Sequence, residues 1–226
     1  IDVSKAKAMP GVVEIFTGKD VEGKMGGLPC GWLITSTDGT PMKEPPHPVL
    51  AQGKVRHVGD QVALVVAETL LQAKDAAELI EVDYEELAPV IDITRAETCG
   101  SAVHDDVPNN VCYDWGHGNK DAVDAAFKQA AKVSTLEFVN NRLIPNAMEP
   151  RAAIGHYDAA TQKWTLRTGT QGVFGMRANV AKMILKTDEA KLHVITQDVG
   201  GGFGMEQVLF RTGETHPCNA DTDECC

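Results

Sequence analysis

A glycine-rich run near the end of the chain has residue types that suit ligand binding. Residues 200–204 comprise four glycines and Phe203, and they directly follow a predicted strand. Consecutive glycines let backbone N–H groups turn toward one point, where they can bind phosphate or oxo groups. The run does not match the dinucleotide fingerprint G-x-G-x-x-G, because the third glycine would fall at Met205. Taken alone, the run favours a glycine turn without a ligand.

Two other segments carry polar side chains that can bind a ligand but are not expected to catalyse a reaction. Gln171 lies between a predicted strand and the start of a predicted helix, where its side-chain amide can face a ligand. An amide carries donors and an acceptor but no charge, so Gln171 can orient a group and cannot activate one. A helix cap is the alternative interpretation. Residues 148–151 place Glu149 beside Arg151, for which a structural ion pair or a turn is the default interpretation.

The first half of the chain predicts a small β-α-β module. Residues 12–16 predict a short buried strand, and the Gly- and Pro-rich residues 25–48 predict a long irregular loop. The apolar residues 62–66 are typical of a strand covered on both faces. Thr69 and Gln72 then provide a capping box for a helix. That helix carries an apolar stripe formed by Leu70, Ala73, Ala77 and Ile80. The next strand is predicted from the alternation of Val82 and Tyr84 with acidic residues.

The second half predicts further elements around the polar segments. Asp121 is suited to cap a helix, and residues 133–139 predict a strand after it. Two apolar segments flank residues 158–161 and predict a hairpin. A helix is predicted from about Val173, and residues 192–195 predict a buried strand.

The composition excludes several classes of partner. The 226 residues carry a net charge of −11 and show no basic block, so nucleic acid and anionic membranes are poor partners. No apolar run approaches the roughly 20 residues that cross a bilayer. The six cysteines and seven histidines show no spacing typical of a metal site, so we expect no metal held by protein side chains. The chain starts at Ile1 rather than Met, and we expect it to be a fragment.

Five segments of the chain resemble, in order and spacing, one family of proteins. They are residues 11–18, 59–67, 140–152, 168–172 and 198–205. Together they are similar to the large, molybdopterin-binding subunit of the xanthine dehydrogenase, aldehyde oxidase and carbon monoxide dehydrogenase family of molybdenum hydroxylases. The resemblance stops after Met205.

The resemblance implies an α+β fold with two domains. Residues 1–96 would form an α/β hammerhead domain whose start is missing, and residues 97–120 a linker. Residues 121–205 would form the first part of a molybdopterin-binding domain. Residues 206–226 match nothing in the family and form an unassigned tail.

The resemblance also implies a cofactor site. Gln171 would hydrogen-bond an oxo ligand of the molybdenum, and the backbone of Gly202, Phe203 and Gly204 would approach the molybdopterin. The family's pterin holds the metal, so no protein ligand to molybdenum is expected. The family's catalytic glutamate lies beyond the last residue of this sequence. We therefore expect no catalytic residue in this chain and expect the chain alone to be inactive.

Cofactors, partners and activity follow from the resemblance in the same way. The cofactor would be molybdopterin with molybdenum, in the cytosine dinucleotide form. An iron–sulfur small subunit and an FAD-binding medium subunit would accept the electrons, in a cytoplasmic dimer of heterotrimers. The substrate would be a small molecule: an aldehyde or N-heterocycle that is hydroxylated, or carbon monoxide that is oxidised.

Three other interpretations stay open at this point. The chain can be a truncated, catalytically incompetent relative that binds partners or has no function. It can be an NAD-binding module, although the broken glycine fingerprint argues against this. Finally, Cys218, Cys225 and Cys226 in the tail can form a metal site.

Overall fold

A computed structural model describes residues 1–30, 32–139 and 146–203 of the chain. These residues divide into two units. The described residues of the first unit are 1–29, 46–89 and 146–203, and those of the second unit are 30, 32–45 and 90–139. Both helices and strands are present, which confirms the predicted α+β class. None of the helices in the described ranges is long and apolar enough to span a bilayer.

The first unit begins with a two-stranded antiparallel sheet and three short helices. The elements in chain order are α1 (Ser4–Lys7), β1 (Val12–Thr17), α2 (Gly18–Val21), β2 (Ala63–Ala67) and α3 (Leu70–Ala77). Ile15 pairs with Val65 across the sheet, and Ile15 is buried with Ala6 of α1 and Ala76 of α3. The small residues Ala6 and Ala76 let α1 and α3 lie close to the sheet. One apolar cluster therefore holds α1, the sheet and α3 together.

The helix start predicted at Thr69 is confirmed, but the predicted apolar stripe is only partly the buried face of this region, where Ile80 of that stripe packs against the core. The side-chain oxygen of Thr69 accepts the backbone N–H of Gln72 at 3.3 Å. Ala76, outside the predicted stripe, faces the core, whereas Leu70 is 73% exposed. The phase of the helix is therefore set by the small residue that fits against β1 and β2, and not by the largest apolar residues.

Two predictions for the strands of this module are wrong. β2 exists, but Leu64 on its outer face is 53% exposed, so the strand is covered on one face among the described residues. Val82 and Tyr84 are not in a strand, and this part of the chain forms only an isolated bridge between Asp2 and Glu81. An alternating pattern forms a strand only where a neighbouring strand is available to pair with it.

The same unit contains a second, three-stranded sheet that matches the predictions closely. β3 (Ala153–Asp158) and β4 (Lys163–Thr168) form the predicted antiparallel hairpin. The predicted helix forms as α5 (Val173–Asn179) and continues as a π-helix (Val180–Ile184). After a 3₁₀ turn (Glu189–Lys191), β5 (Leu192–Ile195) pairs in parallel with β4. Leu192 and Val194 of β5 are buried against Ala181 of the π-helix, so the helix covers one face of this sheet.

The second unit holds one helix and long irregular segments. α4 (Lys120–Gln129) is capped by Asn119, whose Oδ1 accepts the N–H of Ala122 at 3.0 Å. The predicted cap Asp121 is therefore wrong by two residues and lies in the first turn of the helix. The strand predicted at residues 133–139 does not form. Its backbone pairs with no strand in the described part of the chain, and without a partner an apolar run does not form a strand.

Asp158 closes the β3–β4 hairpin and makes its stability dependent on pH. Its carboxylate accepts the Thr161 hydroxyl at 2.7 Å and the N–H of Ala160 at 2.9 Å. The hydrogen bond from the Thr161 hydroxyl is the main cause that lowers the pKa of Asp158 below its ordinary value of 3.8. The backbone N–H groups of Ala160 and Thr161 lower this pKa further. A lowered folded-state pKa gives stability that is fully present above the unfolded pKa and is lost as the pH falls through the folded pKa.

We expect Asp158→Asn to remove this pH dependence, because the amide oxygen still accepts hydrogen bonds but does not titrate. Urea unfolding of the two proteins between about pH 2 and pH 6 measures the effect. The stability of the wild type should fall more steeply with acidification than that of the variant. Parallel curves over the whole range would show that Asp158 does not contribute.

Candidate functional site

The glycine-rich segment follows β5 and has an unusual backbone. We call residues 200–203 the glycine loop; Gly204 lies outside the described residues. Gly201 has φ = +114° and Phe203 has φ = +46°, both in the left-handed region. Such a value is easy for glycine and costs a side-chain-bearing residue about 1–2 kcal/mol. Because left-handed residues turn successive N–H groups toward one side, this backbone suits an anion or an oxo group.

The amide of Gln171 lies directly on the glycine loop. A Cβ atom added to Gly202 would overlap Cδ of Gln171 and would lie 2.6 Å from its Nε2 and 2.8 Å from its Oε1. Gly202 itself does not have a left-handed φ, so it must be glycine for reasons of space. The structure thus brings together Gln171 and Gly202, which are far apart in the sequence.

The segment before α5 holds Gln171 in place. Thr170 is only 3% exposed, and its backbone N–H donates to Oγ1 of Thr196 at 3.4 Å. The Thr170 hydroxyl in turn accepts the N–H of Gly172, the N-cap of α5, at 3.3 Å. The backbone on both sides of Gln171 is therefore fixed, while its side chain stays exposed. This arrangement presents an uncharged amide and does not use it as a helix cap.

Phe203 lies at the described end of the loop with its ring folded back. The ring carbon Cε2 is 2.9 Å from the position that a Cβ of Gly201 would occupy, and Phe203 is 74% exposed. Glycine is therefore favoured at position 201 by its φ, and a side chain there would also have to displace the exposed ring. Of the four predicted cofactor residues, Gln171, Gly202 and Phe203 lie in one place, and Gly204 is outside the described residues.

Glu149 is a residue at this site whose contact the sequence did not indicate. Its Oε2 accepts the backbone N–H of Gly200 at 2.5 Å. A Cβ added to Gly200 would lie 2.5 Å from Cβ of Glu149, so the two backbones approach closely here. The sequence singled out residues 148–151 only for an ion pair or a turn. The carboxylate instead ties that segment to the start of the glycine loop.

Chemically, this arrangement can hold and orient a polar ligand. Gln171 supplies amide donors and an acceptor, and the loop supplies backbone N–H groups. Neither group is a nucleophile or a general base. These two groups can therefore bind and orient a ligand, and they do not themselves supply reactivity. In the parts of the chain that the structure describes, no group of three or more His, Cys, Asp or Glu is placed to hold a metal ion.

A separate pocket of about 470 Å³ lies over the three-stranded sheet and includes none of these residues. Charged groups of both signs line it, among them Arg177 and Glu189. The carboxylate of Glu189 contacts Nζ of Lys182 at 2.6 Å and the Arg177 guanidinium at 3.5 Å. The hydrogen bond from Lys182 is the main cause that lowers the pKa of Glu189. This pocket thus contains surface ion pairs, which is the ordinary character of a charged protein surface.

Comparison with known proteins matches both halves of the chain to known domains. The molybdopterin cofactor-binding domain matches residues 103–214, which include Gln171 and the glycine loop. The a/b hammerhead domain of aldehyde oxidase and xanthine dehydrogenase matches residues 1–88.

Relatives and solved structures agree with these domains. The large subunit of nicotine 6-hydroxylase from Paenarthrobacter nicotinovorans is 31% identical over 93% of this chain and 25% of its own length. The large chain of carbon monoxide dehydrogenase from Afipia carboxidovorans is 33% identical over 90% of this chain and 26% of its own length. Quinoline 2-oxidoreductase from Pseudomonas putida 86 superposes with a TM-score of 0.79 at 33% identity, over 91% of this chain and 25% of that structure.

The chain spans about a quarter of the length of these three proteins. The matched domains, the relatives and the structural superposition all indicate the same assignment. The chain belongs to the xanthine dehydrogenase, aldehyde oxidase and carbon monoxide dehydrogenase family of molybdopterin-binding large subunits.

Proposed function

We propose that this chain forms one wall of the cofactor site in a molybdenum hydroxylase. The observation that carries the proposal is the contact between the Gln171 amide and Gly202. It places an orienting side chain beside a backbone segment that has no side chain in the way. The matched molybdopterin cofactor-binding domain supports the same assignment.

The residues present fit such a cofactor. Because Gly202 lacks a Cβ, the Gln171 amide can lie directly against its backbone, and a side chain at this position would displace the amide. In the proposal, Gln171 donates a hydrogen bond to an oxo group of the cofactor, and the backbone of Gly202, Phe203 and Gly204 approaches the pterin. When bound, the molybdenum cofactor supplies the redox chemistry, and the protein supplies binding and orientation. The pterin would hold the metal, and none of the described residues would be needed as a ligand to it.

The activity and assembly of the complete protein belong to the same proposal. The reaction would be hydroxylation of an aldehyde or N-heterocycle, or oxidation of carbon monoxide, in the cytoplasm. We propose the cytosine dinucleotide form of the cofactor. An iron–sulfur small subunit and an FAD-binding medium subunit would complete a heterotrimer that forms dimers. The names of the relatives as large subunits or large chains support partner subunits in general.

Replacing Gln171 by alanine tests the proposed role of its amide. We expect the complete gene product to keep its pterin, because the backbone of the loop is unchanged, but to turn over about 10- to 100-fold more slowly. The measurement is the rate per molybdenum, compared with the exposed control variant Gln129→Ala at the end of α4. An unchanged rate in Gln171→Ala, with the control also unchanged, would remove Gln171 from the site.

A further inference from the structure

The glycine loop is anchored to a distant segment at its first residue. Gly200 donates its backbone N–H to the carboxylate of Glu149, which lies 51 positions earlier in the chain. The distance is 2.5 Å, and the acceptor carries a negative charge. Hydrogen bonds to charged acceptors are shorter and stronger than those between neutral groups. This bond is therefore suited to fix the start of the loop.

The loop needs such an anchor because of its composition. Gly200, Gly201 and Gly202 are consecutive, and glycine loses more conformational freedom on ordering than any other residue. The contact between Gly202 and the Gln171 amide requires one defined backbone path. A bond at Gly200 removes conformations of the run that would carry Gly202 away from Gln171.

The chemistry of Glu149 also determines where an anionic ligand can bind. Its carboxylate accepts the N–H of Gly200, so that N–H is not available to a ligand. A carboxylate repels other anions at short range. An anionic or oxo group is therefore directed toward the later part of the loop, where Gly202 meets Gln171.

We propose that Glu149 is a positioning residue for the cofactor site, which acts by holding Gly200 so that Gly202 lies against Gln171. The inference rests on the proposed function, since it assumes that the glycine loop receives the cofactor. Glu149 does not act as a catalyst in it.

Two variants of Glu149 separate position from charge. Glu149→Ala removes the acceptor, whereas Glu149→Gln keeps an acceptor oxygen and removes the charge. Glu78→Ala and Glu78→Gln are matched controls, because Glu78 is an exposed glutamate at the end of α3. All variants are made in the complete gene product. The readouts are amide hydrogen exchange of the peptide containing the glycine loop, molybdenum and pterin content per chain, and kcat and KM per molybdenum.

In Glu149→Ala we expect exchange in the loop to be about 10-fold faster and cofactor content to fall at least about 3-fold. In the molybdenum-loaded fraction, kcat should fall while KM stays unchanged, which a loss of overall stability would not produce. Glu149→Gln should fall between the wild type and Glu149→Ala in loop exchange and cofactor content, because it keeps an acceptor oxygen and loses the charge that strengthens the bond. Wild-type exchange and cofactor content in Glu149→Ala would overturn the proposal.

Two other results have distinct meanings. If Glu149→Gln lowers cofactor content as much as Glu149→Ala while loop exchange stays at the wild-type rate in both variants, the charge acts without anchoring the loop and the positioning role is wrong. If the wild-type protein contains no molybdenum or pterin, the proposed function fails and the cofactor role of Glu149 fails with it. Hydrogen exchange still reports whether Glu149 anchors Gly200 in that case, so the two failures can be told apart.

Discussion

Replacing Gly202 by alanine is expected to displace the Gln171 amide and leave the fold intact. The added methyl group would overlap Cδ of Gln171 and lie 2.6 Å from its Nε2. These atoms form the end of a flexible, exposed side chain, so the amide can move away without disturbing the backbone. A misplacement of about 1 Å at a reacting centre can cost about 100-fold in rate. We therefore expect turnover to fall by about that factor while Tm changes by less than about 3 °C.

Gly155→Ala is the matched control for this substitution. Gly155 lies in β3, and a Cβ added there meets no atom within 4 Å. This variant should keep both wild-type turnover and wild-type Tm. Wild-type turnover in Gly202→Ala would show that the position of the Gln171 amide is unimportant. A large loss of Tm in Gly202→Ala would show that the contact is structural.

Replacing Gly26 by alanine is expected to cause a severe loss of stability. The N–H of Gly26 donates to the carbonyl oxygen of Ile184 at 2.9 Å, at the end of the π-helix. A Cβ at Gly26 would overlap the carbonyl oxygen of Met183 and lie 2.7 Å from its carbonyl carbon. Backbone atoms of a helix cannot move away as a side chain can. We expect the free energy of unfolding to fall by about 3 kcal/mol or more.

Urea unfolding of Gly26→Ala and Gly23→Ala measures this effect. Gly23 has φ = +71° but no atom within 4 Å of an added Cβ, so alanine there carries only the backbone cost of about 1–2 kcal/mol. Gly26→Ala should therefore be clearly the less stable of the two. Equal stability of both variants would contradict the close approach of Gly26 to the π-helix.

The elements around the candidate site were predictable because their signals are local. The β3–β4 hairpin combines two strand-forming segments with a short loop, in which Asp158 accepts hydrogen bonds from Ala160 and Thr161. The apolar spacing from Val173 predicted α5, and the short apolar run predicted β5. Each of these signals lies within about ten residues, so neighbouring side chains alone determine it.

Predictions that depend on distant partners were the ones that failed. The alternating residues Val82 and Tyr84 would need a paired strand, and only Asp2 bridges to this region, at Glu81. Residues 133–139 likewise lack a pairing strand in the described ranges. For α3, the sequence showed an apolar stripe, but the buried residue is Ala76, because the sheet determines which face fits.

In the candidate site, too, the local motifs were predictable and the contacts between distant residues were not. The glycine run and Gln171 are visible as separate motifs, and the family resemblance predicted one shared role for them. Their actual contact at Gly202 is a property of the fold. The bond between Glu149 and Gly200 spans 51 positions, and a glutamate next to a proline carries no local signal for it. Spacing alone therefore cannot predict this bond.

The molybdenum and pterin content of the purified complete gene product tests most directly whether the protein contains the cofactor that the proposed function assigns to it. Protein from cells supplied with molybdate is expected to contain about one molybdenum and one pterin per chain. Gly202→Ala, prepared in parallel, should stay folded and show the predicted loss of turnover. A folded wild-type protein that contains neither molybdenum nor pterin would contradict the proposed function.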